Sequence, residues 1–159
     1  MEKIELFVPG RLCLLGEHSD WAGLYRTINS SIVAGQAIVT GIEQGIYATV
    51  EMNDKFIVES SLEIYKNDSF ECEMDTEMLR KTAAEGGFFA DVAGVASYVN
   101  EYYKVKGLKI KITKMDLPIK SGLSSSAAIC VLVARAFNIL YHLHCNTMGE
   151  MFIAYYGEQ

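Results

Sequence analysis

Residues 120–137 read KSGLSSSAAICVLVARAF, and the fold turns on how this stretch is read. Serine is a mediocre helix former, and three in a row ordinarily belong to a loop. The residues from Ala127 to Ala134 instead read as a helix that is apolar on nearly every side, which places it at the centre of the molecule. A helix start carries unpaired N–H groups and about half a positive charge. Gly122 lets an anion approach the backbone, and hydroxyls add donors. Gly122, Leu123, Ser124, Ser125 and Ser126 therefore suit an anion, phosphate above all. No GxxxxGK[ST] occurs, so this is not a P-loop. Taken alone, the stretch fits an ordinary serine-capped core helix equally well.

Around this helix, strand and helix patterns alternate. Ile4 to Val8, Leu12 to Leu15, Gly45 to Met52, Lys55 to Glu59 and Leu108 to Thr113 read as strands. Asp75 to Glu85 and Phe88 to Tyr103 read as helices, the second with Val92, Val95, Ala96 and Val99 at helical spacing. The central helix is expected from Ser125 to about Leu143. Thr147 to Tyr156 reads as a last helix, with Thr147 as N-cap and Glu150 closing a capping box. Strands come mostly first and helices later, which predicts an α+β domain.

A second polar cluster lies near the start. PGRLCLLGEHSDWAG, residues 9–23, places Arg11 on a strand and then Glu17, His18, Asp20 and Trp21 after Gly16. Two carboxylates and an imidazole suit vicinal hydroxyls, and an indole suits a sugar face. A solvated polar turn is the plain alternative.

Composition excludes other classes. The chain has 159 residues, half of them hydrophobic, and a net charge of −6, which argues against a broad nucleic-acid or anionic-membrane surface. Cys13, Cys72, Cys130 and Cys145 show no zinc or redox spacing, so free thiols in a reducing cytoplasm are expected. The longest apolar run is too short for a bilayer.

The two clusters together carry a resemblance. PGRLCLLGEHSDWAG resembles the first motif of the galactokinase branch of the GHMP small-molecule kinases, roughly G-R-x-N-x-I-G-E-H-x-D-Y-x-G. DLPIKSGLSSSAA resembles that superfamily's phosphate motif, P-x-x-x-G-L-S-S-S-A. FADVAGVASYV followed by a strand resembles the helix preceding it. The resemblance implies the GHMP kinase N-terminal fold, a mixed sheet with helices on one side, as in a domain of a ribosomal protein. It implies ATP and Mg²⁺ as cofactors and a small-molecule sugar as partner. Gly122, Leu123, Ser124, Ser125 and Ser126 would line the triphosphate, with Ser126 and Glu158 holding the metal. Arg11 would lie near the transferred phosphate, and Glu17, His18 and Asp20 would bind the sugar, giving a sugar 1-phosphate.

Some positions depart from the pattern. Cys13 replaces the usual Asn, Trp21 the usual Tyr, and Lys120 a small residue, and the segment after Asp20 is longer than usual. These changes ring the pocket and leave open a related sugar or derivative. The resemblance also places the catalytic Asp, a further glycine-rich motif and the C-terminal half beyond Gln159. Residues 1–159 are thus expected to form a truncated N-terminal domain, inactive alone, whose exposed half-cleft promotes self-association. Two alternatives remain: a sugar and nucleotide sensor without catalysis, and a GHMP kinase for a non-sugar alcohol resembling mevalonate or homoserine.

Other features read as structural. His142, His144 and Cys145 suit a helix C-terminus better than a metal site. Tyr98, Tyr102, Tyr103, Tyr155 and Tyr156 are expected to pack or cover an interface, and Met74, Met78 and Met115 to fill the core. The acidic run from Glu71 to Glu77 and the basic stretch from Lys104 to Lys114 are expected on solvated faces.

Overall fold

The computed structural model describes residues 3–16, 21–61, 69–87, 89–117 and 124–159. Its strands are β1 (Lys3–Leu15), β2 (Ile38–Met52), β3 (Phe56–Ser60), β4 (Ser69–Cys72) and β5 (Leu108–Met115). Its helices are α1 (Trp21–Arg26), α2 (Thr76–Glu85), α3 (Ala90–Tyr103), α4 (Ser125–Leu140) and α5 (Thr147–Glu158). The strands form one mixed sheet in the order β1-β2-β5-β3-β4, antiparallel except where β3 runs parallel to β5. The expected α+β fold is the observed one.

Strand alternation makes the sheet one-sided. Leu6, Val8, Ile46, Ala48, Val50, Phe56, Val58, Leu108, Ile110 and Ile112 are buried, whereas Glu5, Phe7 and Lys111 between them face solvent. The buried face meets α4, of which Leu132, Val133, Ala134, Ala136 and Phe137 are essentially inaccessible. Eight of its sixteen residues are buried, so the serine-led helix is indeed the central one.

Helices α3 and α5 cross at two glycines. A Cβ on Gly94 would collide with the Gly157 carbonyl, and one on Gly157 with the Val95 backbone. Glycine at both positions lets the two helices touch, and Glu158 follows at once. Tyr98 stacks on Tyr156 across the same pair, with ring centroids 5.8 Å apart.

Several local expectations are corrected. The first two strands are one, β1, interrupted by register irregularities at Pro9/Arg11 and Cys13/Leu15. Sequence reading missed β4 and the six-residue α1. Helix α4 stops at Leu140, and His142 and His144 follow it with left-handed φ of 50° and 58°. The capping box at Thr147 does not form: Asn146 is the N-cap, its Oδ1 accepting from the Gly149 N–H at 3.0 Å. Glu150 turns inward, accepting from Asn138 Nδ2 at 2.7 Å and facing Arg135 at 3.3 Å. Asparagine is the stronger cap, and a buried carboxylate needs partners. Met78 is exposed rather than core, while Met74 and Met115 pack against the core. The four cysteines are free. No helix among the described residues is long and apolar enough to cross a membrane.

Candidate functional site

The start of α4 is built differently from a simple capped helix. Ser124 is its N-cap, but it sits in the left-handed region (φ 57°, ψ 49°), and its side chain makes no capping bond. Its Oγ instead accepts from Arg11 Nε at 2.8 Å. Arg11 reaches it from β1 just where the register slips between Pro9 and Arg11. Such irregularities twist a strand and re-aim its side chains. The two clusters singled out in the sequence thus touch, although 113 residues separate them.

Both approaches to this contact are anchored. β1 ends at Leu15, and Gly16 follows, whose φ of 82° favours glycine and where a Cβ would collide with the Gln36 carbonyl. Glu17, His18 and Asp20, the sugar-binding candidates that follow it, lie outside the described residues, as do Gly122 and Leu123. At the other approach, Asp116 accepts from the Gly45 N–H at 2.7 Å and pairs with Lys114 at 2.8 Å. Both partners hold its carboxyl below the usual aspartate range.

Ser125 and Ser126 form the first turn of α4, Ser125 half-buried and Ser126 exposed. Ser126 and Cys130 are four residues apart and share one face of the helix. The Cys130 thiol, an Asp91 carboxylate oxygen and a Glu158 carboxylate oxygen all lie within 4.8 Å of one another. Helix α3 brings Asp91 in its first turn, and α5 brings Glu158 in its last. A cavity of about 320 Å³ opens beside this pair, lined also by Gly94, Tyr98, Tyr156 and Gly157.

The electrostatics of the pair are unbalanced. Burial, then the charge of Glu158, pushes the Asp91 carboxyl above its ordinary value. Burial, then the two carboxylates, pushes the Cys130 thiol up, so it stays S–H. Glu158 sits at a helix C-terminus, where the backbone is already partly negative. Two carboxylates meeting there suit a hard cation, and oxygen donors with a neutral thiol suit magnesium better than zinc. Asp91 was not anticipated from sequence. Its signal is an acid in the first turn of a helix whose first half, Ala90 to Ala96, is otherwise free of polar side chains, which reads by default as a favourable dipole partner.

Comparison with known proteins bears on the family and the fold. Residues 90–159 match the family model described as "GHMP kinases N terminal domain". The galactokinase of Pyrococcus furiosus is 33% identical over 155 residues, covering 97% of this chain and 38% of that protein. The galactokinase of Thermosipho africanus is 30% identical over 139 residues, covering 87% of this chain and 33% of that protein. The chain therefore spans under two fifths of the length of these curated relatives. Among solved structures, Lactococcus lactis galactokinase complexed with galactose superposes with a TM-score of 0.76 at 24% identity, covering 99% of this chain and 39% of that one. Methanococcus jannaschii mevalonate kinase gives 0.75 at 21% identity, covering 99% and 46%. The fold alone does not separate these two; the sequence relatives above are galactokinases. The chain has the N-terminal fold of the GHMP kinases and is galactokinase-like in sequence.

Proposed function

We propose that this chain is the N-terminal domain of an ATP-dependent, galactokinase-like kinase that phosphorylates a sugar hydroxyl, the anomeric one, giving a sugar 1-phosphate. The carrying observation is the 2.8 Å bond from Arg11 to Ser124, which joins the sugar-side motif to the phosphate-side motif. The resemblance to galactokinases supports the sugar class. Galactose is the first substrate to try, and the changes at Cys13 and Trp21 make a related sugar the next.

Phosphoryl transfer depends on positioning and charge neutralisation more than on covalent help. Amides at the start of α4 would face the nucleotide's phosphates, with the Ser125 hydroxyl beside them. Arg11 would place positive charge where it builds on the transferred group. Ser126 and Glu158 would hold Mg²⁺, with Asp91 beside Glu158. When bound, Mg²⁺ neutralises charge on the β- and γ-phosphates. Glu17, His18 and Asp20 would grip the sugar hydroxyls. The family resemblance implies a catalytic aspartate that would lie beyond Gln159. Turnover is therefore proposed for a longer protein, and ligand binding for this chain.

The test is a thermal-shift panel of sugars, mevalonate and homoserine in the presence of MgATP, followed by turnover assays. Stabilisation by galactose or a close relative is expected, with turnover of the longer protein in the usual kinase range, about 1–100 s⁻¹. Stabilisation by mevalonate or homoserine alone would overturn the sugar assignment. Sugar binding without any phosphorylation by the longer protein would favour a sensor. Kinase-like turnover by the 159-residue chain would refute its proposed inactivity.

A further inference from the structure

We propose that the Ser124 side chain acts as a bracket for Arg11 and is not itself a phosphate ligand. This rests on the kinase reading above and deepens it.

Three observations point the same way. First, the N-cap serine leaves its own helix uncapped. Asp75 accepts from the Met78 N–H at 2.8 Å and Asn146 from the Gly149 N–H at 3.0 Å, whereas Ser124 makes no such bond. Its acceptor is directed across to β1. Second, Ser124 holds a left-handed backbone, which a non-glycine residue keeps only when its surroundings fix it. Third, the bond uses Arg11 Nε. A guanidinium presents five N–H donors in a rigid fork, so a partner at Nε leaves both terminal nitrogens available. Among the described residues, no other partner of Arg11 is recorded.

The consequence is geometric. Arg11 is exposed, and its long side chain would otherwise sample many rotamers. Held at Nε, the fork keeps one orientation and can meet two phosphoryl oxygens at once. Ser124 thereby acts through Arg11, as a positioning residue. Its effect belongs on the chemical step and not on nucleotide affinity.

The experiment uses the longer, active protein and four variants: Ser124→Gly, Ser124→Asn, Arg11→Lys and the Ser124→Gly/Arg11→Lys double. Glycine relaxes the left-handed backbone and removes the hydroxyl. Asparagine tolerates that backbone and restores an oxygen acceptor. For Ser124→Gly, kcat should fall about tenfold while KM for ATP moves less than about twofold. Ser124→Asn should recover most of the loss. In the Arg11→Lys background, Ser124→Gly should cost nothing further. A rise in KM for ATP at unchanged kcat, or factors that multiply in the double variant, would overturn the bracket. Nitrogen-15 NMR supplies a readout independent of turnover: a slowly exchanging Arg11 Nε–H signal, lost in Ser124→Gly. A kinase without that signal refutes the bracket alone. A protected signal in a protein that phosphorylates nothing refutes the kinase reading, and the bracket's catalytic role with it.

Discussion

The starts of α4 and α5 are assembled from similar residue types and do opposite things. At α5, Asn146 caps its own helix, and the turn before it is tied by Asn138, which donates to the Cys145 carbonyl and accepts from the Cys145 N–H, both at 3.0 Å. At α4, the cap residue takes a left-handed backbone and bonds to a strand 113 residues away. The first arrangement satisfies the chain's own donors and ends the matter. The second leaves helix N–H groups uncapped by Ser124 beside an exposed arginine. The first helix start closes on itself; the second is the one proposed to meet a ligand.

The largest break in this contrast should come at Arg11. Arg11→Ala removes the cation bonded to Ser124 at the α4 start, and turnover of the longer protein should fall about 10²–10³-fold while the melting temperature barely moves. A large loss of stability with normal turnover would make Arg11 a structural residue.

Asn146→Ala and Ser124→Ala sharpen the contrast directly. The first removes a working cap and should cost about 1 kcal/mol in urea unfolding. The second removes no cap and should cost less than about 0.5 kcal/mol. Equal losses would mean that the two helix starts serve the same purpose.

A smaller effect than that of Asn146→Ala is expected at Asp91. Its folded-state carboxyl is raised, so it holds a proton more tightly folded than unfolded. Stability from this group is then full below the unfolded carboxyl value of about 4 and declines as pH rises through the folded value. Asp91→Asn should therefore melt about 2 °C higher than the parent at neutral pH, with the gain vanishing in acid. Stabilisation by Mg²⁺ should shrink in the same variant. An unchanged response to both pH and Mg²⁺ would dissociate Asp91 from the Glu158 site.

Much of this was legible in the sequence because period and order carry it. The apolar run after Ser126 gave the central helix, and alternation at Leu108, Ile110 and Ile112 gave a half-buried strand. What escaped depended on contacts between distant residues. Ile4 to Val8 and Leu12 to Leu15 read as separate strands, yet β2 is long enough to pair with both across a bulge. Glu150 had the spacing of a capping box, but Arg135 and Asn138 on α4 claim its carboxylate. β4 is only four residues long, too short for alternation to speak. In the site, the sequence supplied Arg11 and the serines; their bond and the approach of Asp91 to Glu158 needed the fold.

The most direct test of the central claim is a crystal structure of the longer protein with Mg²⁺ and a non-hydrolysable ATP analogue. The terminal phosphate should lie at the start of α4, within hydrogen-bonding distance of the Arg11 terminal nitrogens, with the metal between Ser126 and Glu158. A nucleotide whose phosphates lie away from Ser124–Ser126, with Arg11 turned aside, would contradict the account.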